Sequence, residues 1–118
     1  MREGAMPVNG AGDRIFHAVA SWAEIGHGPH RFGGVEFRVG RREVGHVHGD
    51  SLVDIPFPLA VRDELVRSKS AEPHHILPQS GWVSVYLRRA GDVDRAIELL
   101  RRSYEIALAS QGRNVPTR

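Results

Sequence analysis

Cysteine is absent from this chain of 118 residues, and lysine occurs once, at Lys69. Without cysteine there is no disulfide framework, no thiolate zinc site and no cysteine nucleophile. No apolar run approaches the roughly 18 residues needed to span a bilayer. The opening Met1-Arg2-Glu3-Gly4 lacks the apolar stretch of a signal peptide. There is no Gly-x-Ser-x-Gly elbow and no phosphate-cradling Gly-x-x-x-x-Gly-Lys-Ser/Thr loop, which sets aside the chemistries those motifs serve. Gly33-Gly34 precedes a strand pattern rather than a helix, the wrong context for a dinucleotide site. The expectation is a soluble, cytoplasmic protein.

Charge of one sign is also scarce. Sixteen basic and fourteen acidic residues leave a net charge of +2, too weak a field to imply nucleic acid by itself. Hydrophobic residues at 41% and charged residues at 25% are ordinary globular usage. At this length one domain is expected. Residues 1–12, with Gly4, Pro7, Gly10 and Gly12 and no apolar period, read as a flexible leader. Residues 111–118 read as a polar tail, and 13–110 as the folded unit.

The apolar pattern then orders the elements. Ile15, Phe16, Val19, Trp22 and Ile25 form one stripe of a first helix capped by Asp13 and ended by Gly26. Val35, Phe37 and Val39 alternate with charge as a strand. A two-residue turn at Gly40-Arg41 would set Val39 opposite Arg42, Arg38 opposite Glu43, Phe37 opposite Val44 and Val35 opposite His46. A second such turn at Gly49-Asp50 would set His48 opposite Ser51, Val47 opposite Leu52 and His46 opposite Val53. That register places His46 and His48 among Val35, Phe37, Val44, Val53 and Ile55, and Asp54 on the other face. Pro56 and Pro58 end the third strand, and Pro58 opens a second helix through Leu59, Leu65 and Val66 that fades around Ser68–Ser70. Residues 71–80 read as an ordered loop between prolines. Trp82–Leu87 forms a fourth strand with Val83, Val85 and Leu87 on one face. Asp92 caps a last helix striped by Val93, Ala96, Ile97, Leu100, Tyr104 and Leu108. The order predicts an α+β fold, a four-stranded antiparallel sheet with three helices on one face.

Several segments carry a resemblance. His30-Arg31-Phe32-Gly33-Gly34-Val35-Glu36-Phe37 leads into Glu43-Val44-Gly45-His46-Val47-His48. Asp54-Ile55-Pro56-Phe57-Pro58, Glu72-Pro73-His74-His75 and Gly81-Trp82-Val83 follow. Together, over about residues 15–108, they resemble the small bacterial proteins labelled luciferase family. The label does not imply flavin-dependent light emission, because the barrels of those enzymes take about 250 residues. The element order is also similar to YjbR/MmcQ-like domains, with Trp82 and Ser103-Tyr104 as counterparts, a fold-level likeness through which nucleic-acid binding is implied by analogy only.

Seven histidines are present, four of them in two clusters. His46 and His48 stand two residues apart on one strand face, about 6.5–7 Å along the backbone, so both rings can reach one ion. His74 or His75 could add a nitrogen, and Asp50 or Glu72 an oxygen. A divalent metal held by His46, His48 and His74 is thus one reading. A second is a small-molecule pocket lined by His46, His48, His74 and Trp82, with Glu72 as orienting carboxylate. Acid–base work by His46 or His74 with Asp50, Asp54 or Glu72 belongs with it. A third is purely structural: His46 bonded to a carbonyl or to Glu72, His48 capping its turn, Trp82 sealing the loop. Arg38, Arg41 and Arg42 at the first hairpin and Arg88-Arg89 would serve a nucleic-acid or protein interaction module, opposed by Glu36, Glu43 and the small net charge. Composition says nothing of oligomeric state.

Overall fold

The computed structural model describes residues 8–31 and 33–113. Its elements are α1 (Ala11–Ala20), β1 (Ile25–Pro29), β2 (Val35–Val39), β3 (Arg42–His48), β4 (Leu52–Pro56), α2 (Leu59–Arg67), β5 (Glu72–Pro73), β6 (Trp82–Tyr86) and α3 (Ala90–Arg113). The fold is α+β with three helices and one antiparallel sheet, as the pattern implies. The sheet has six strands in the order β1-β2-β3-β4-β6-β5, not four. Both additional strands are edges whose composition hides them. β1 reads Ile-Gly-His-Gly-Pro, and β5 is two residues inside the expected loop.

Several boundaries move for local reasons. Helix α1 starts at Ala11, whose side chain is buried, behind Gly10 as N-cap; Asp13 sits inside the first turn. The helix ends at Ala20, not at Gly26, because Ile25–Pro29 pairs with β2 instead. In α3, Asp92 is the third helical residue. Its Oδ2 accepts bonds from the backbone N–H of Arg88 at 2.8 Å and of Arg89 at 3.0 Å, so it caps from within. Helix α3 continues through Gln111 to Arg113. The rest of the expected tail, most of the leader, and Phe32 fall outside the described residues.

Register decides which residues share a face. The Gly40-Arg41 turn forms as read, pairing Val39 with Arg42 and Arg38 with Glu43. Beyond it a β-bulge intervenes: Phe37 pairs with Gly45, Glu36 with His46 and Val35 with Val47. The expected pairs Phe37–Val44 and Val35–His46 do not form. Val44 and Gly45 together oppose Phe37, which reverses the facing of every later residue of β3. The second hairpin has three loop residues, Gly49, Asp50 and Ser51, rather than two, so His48 pairs with Leu52, Val47 with Val53 and His46 with Asp54. Asp54 and His46 therefore share a face, contrary to the simple register.

Helices α1 and α3 cover one face, closing over Phe37, Val39, Val44, Val47, Val53, Ile55, Val83 and Val85, all buried. Leu87 joins this core beyond the end of β6. The bulge is held from this side. Ser103 Oγ shares its proton between the carbonyls of Val44 at 2.8 Å and Pro56 at 3.2 Å. Leu100 lies so close to Gly45 that a Cβ there would meet Leu100 Cδ2 at 2.6 Å and the Asp54 carbonyl oxygen at 3.0 Å. The other face carries Glu36, His46, His48, Asp54, Trp82 and Ser84.

Overpacking at the bulge is expected to make Gly45→Ala cost about 1–3 kcal/mol in urea denaturation. Gly26→Ala, whose nearest contact would be the Arg38 carbonyl at 3.9 Å, is expected to stay within about 0.5 kcal/mol. Equal losses at the two positions would contradict this packing.

Candidate functional site

Asp54 is the centre of the uncovered face. It is 1% exposed, in the middle of β4, between His46 of β3 and Ser84 of β6. Three imidazoles bring a Nε2 to the same oxygen, Oδ2: His48 at 3.1 Å, His46 at 3.2 Å and His74 at 3.5 Å. Ser84 Oγ donates to the other oxygen, Oδ1, at 2.7 Å, and His75 Nδ1 lies 3.6 Å from it. Burial alone would raise the carboxyl's pKa. The hydrogen bonds from His46 and Ser84 and the charges of His74 and His46 override it and lower the value to about 2.

His46 differs in charge state from His48 and His74. His46 has a carboxylate on both sides, Glu43 Oε2 at 2.7 Å from Nδ1 and Asp54 on Nε2. Burial disfavours its charged form, but the two hydrogen bonds outweigh burial and raise it to about 9, so the ring is an imidazolium at neutral pH. His48 is held below its ordinary value by burial and by that neighbouring cation. His74 is also lowered, by burial and by the charges of His75 and His46. Its Nδ1 accepts the backbone N–H of Ile76 at 3.1 Å and of Leu77 at 3.0 Å. A neutral ring with Nδ1 so engaged carries its proton on Nε2, facing Asp54.

The surroundings form a cavity of about 580 Å³. His30 stacks on His46 with ring centres 3.9 Å apart, and its Nδ1–H donates to the Glu36 carboxylate at 3.0 Å. Trp82 stands 5.2 Å from the His46 ring, and Arg31, His75, Ile76 and Leu77 complete the wall. Among the described residues, three groups have ligand atoms within 4.8 Å of one another: His46, His48 and Asp54; Asp54, His74 and His75; and His30, Glu43 and His46.

His46, His48, His74 and Trp82, singled out from the sequence, thus line one hollow. Glu72 does not join them; it is exposed and reaches Arg88 Nη1 at 3.4 Å. Asp50 is used elsewhere, accepting the N–H of Gly12 at 2.8 Å and of Gly10 at 3.2 Å at the start of α1. In the basic hairpin, Arg38 turns back onto Glu36 and the Arg41 carbonyl, while Arg41 and Arg42 are exposed. The sequence reading missed the central role of Asp54, the Glu43 contact and Ser84. One signal was available: an isolated glycine within a strand pattern, Gly45, marks a bulge.

A family model described as Luciferase domain matches residues 41–103, more than half of the chain, and the chain belongs to that family. No curated protein and no solved structure matches it, so the likeness to YjbR/MmcQ-like domains gains no support. The matched stretch includes His46, His48, Asp54, His74 and Trp82. Among the described residues no helix is long and apolar enough to cross a membrane.

In metal-free protein, histidine NMR titration is expected to place His46 near pH 9 and His48 and His74 below their ordinary 6.5. Raised above its unfolded value, His46 contributes stability that is complete below pH 6.5 and is lost as pH rises through about 9. A His46 midpoint at or below 6.5 would show that the two carboxylates do not hold it.

Proposed function

We propose that this Luciferase-domain protein binds a divalent transition-metal ion through His46 Nε2, His48 Nε2 and Asp54 Oδ2, with open positions facing the cavity for a small molecule. The supporting observation is spacing. Ligand atoms about 2.1 Å from one ion, at tetrahedral or octahedral angles, lie about 3.0–3.4 Å from their neighbours. The two nitrogens stand 3.2 and 3.1 Å from the carboxylate oxygen. Two imidazoles and one carboxylate on one side of an ion suit iron(II), zinc and similar cations.

The outer contacts favour the same assignment. Glu43 on Nδ1 of His46 fixes that ring's tautomer and leaves Nε2 for the ion, the usual carboxylate–histidine support of a metal ligand. Ser84 fixes the second oxygen of Asp54. His74, expected from the sequence as a third nitrogen ligand, instead serves Asp54 as a proton donor, because its Nδ1 is committed to two backbone N–H groups. The ion replaces the Nε2 proton of His46, so binding releases one proton.

Metal-free protein is expected to take up one Zn²⁺, Ni²⁺, Mn²⁺ or Fe²⁺ per chain, with affinity rising about tenfold per pH unit from 7 towards 9. Asp54→Asn or His48→Ala is expected to weaken uptake more than about 100-fold, and Glu43→Gln about 10–100-fold. Circular dichroism would verify that each variant is folded. No uptake of any of the four ions, or uptake unchanged in folded Asp54→Asn, would overturn the assignment.

A further inference from the structure

We infer that the small molecule taken by this site is an organic carboxylate with an apolar tail, its oxygen on the ion and its chain against the cavity mouth. This rests on the metal reading of the preceding section. Two aliphatic side chains beside the site are left in water. Ile76 is 70% exposed and Leu77 52% exposed, and both line the cavity of about 580 Å³. Single exposed apolar residues need no explanation, but an adjacent pair at the rim of a histidine-lined cavity gives an apolar ligand chain something to pack against.

The pair is also held in place. His74 accepts the backbone N–H of both Ile76 and Leu77 on one ring nitrogen, while its other nitrogen faces Asp54. One imidazole therefore fixes the distance from the proposed ion's carboxylate ligand to the apolar lip. Trp82, 6.0 Å from the His74 ring, adds an apolar wall between floor and lip. Cavity size falls in the range of small-molecule sites, which combine apolar walls with a few convergent polar groups. At the floor, an ion with three protein ligands keeps positions for an oxygen anion. An ammonium group has no lone pair to offer it. A carboxylate brings both a lone pair and a charge opposite to the ion's, so the occupant is apolar at one end and anionic at the other.

The test uses the full chain loaded with Zn²⁺ and titrated calorimetrically with straight-chain carboxylates from acetate to octanoate, and with octylammonium. Metal content is measured first, in carboxylate-free buffer. Affinity is expected to rise up to about fourfold for each methylene that reaches the lip, with octylammonium not bound. In the double variant Ile76→Ser, Leu77→Ser the dependence on chain length is expected to flatten. Metal-loaded protein that binds acetate as tightly as octanoate, or octylammonium as tightly as octanoate, overturns this inference alone. A length dependence that persists in the double variant does so as well. Protein that takes up no metal overturns both this inference and the reading beneath it.

Discussion

A carboxylate as buried as that of Asp54 keeps its charge only where several donors or a cation replace the water it has lost. The whole uncovered face of the sheet is arranged around that demand. Ser84 supplies a hydroxyl from β6, His46 and His48 supply imidazoles from β3, and His74 reaches in from the segment after β5. No neighbouring residues in the chain could do this together. It takes three adjacent antiparallel strands in a fixed register, with the intervening segment folded back over them.

That register depends in turn on the other face. The bulge at Val44 and Gly45 turns the later half of β3 over, sending Val47 to the helices and the two histidines away from them. Helix α3 fits it closely, with Leu100 against Gly45 and the Ser103 hydroxyl on the carbonyls of Val44 and Pro56. These two carbonyls lie two residues before His46 and two residues after Asp54. The apolar packing between helix and sheet is thus what sets the distance between the polar groups on the opposite side.

Much of this was legible in the sequence. Helical stripes, the Gly40-Arg41 hairpin, the alternation in Trp82–Leu87 and the pooling of His46, His48, His74 and Trp82 all follow from spacing of residue types. Strand β1 was not legible, because two glycines and a proline carry no alternation, and its pairing with β2 is a tertiary event. His46 and His48, not Asp54, change face relative to the simple register, and the reason is parity: Asp54 stays on the face opposite Val53 and Ile55. One extra residue in the bulge and one in the Gly49–Ser51 turn each reverse a face, and sequence spacing cannot fix either count. Glu72, expected as the orienting carboxylate, lies two residues before His74 in sequence, yet its side chain reaches Arg88 instead.

On the proposed reading, bulge, turn and buried carboxylate together make one three-point cation site on this face of the sheet. Anomalous diffraction from crystals of the chain grown with Zn²⁺ tests it most directly. A single strong peak is expected about 2.0–2.2 Å from His46 Nε2, His48 Nε2 and an Asp54 oxygen, with Glu43 still on His46 Nδ1. A peak ligated by His74 and His75 without His46 and His48, or no peak at Asp54 at all, would contradict it.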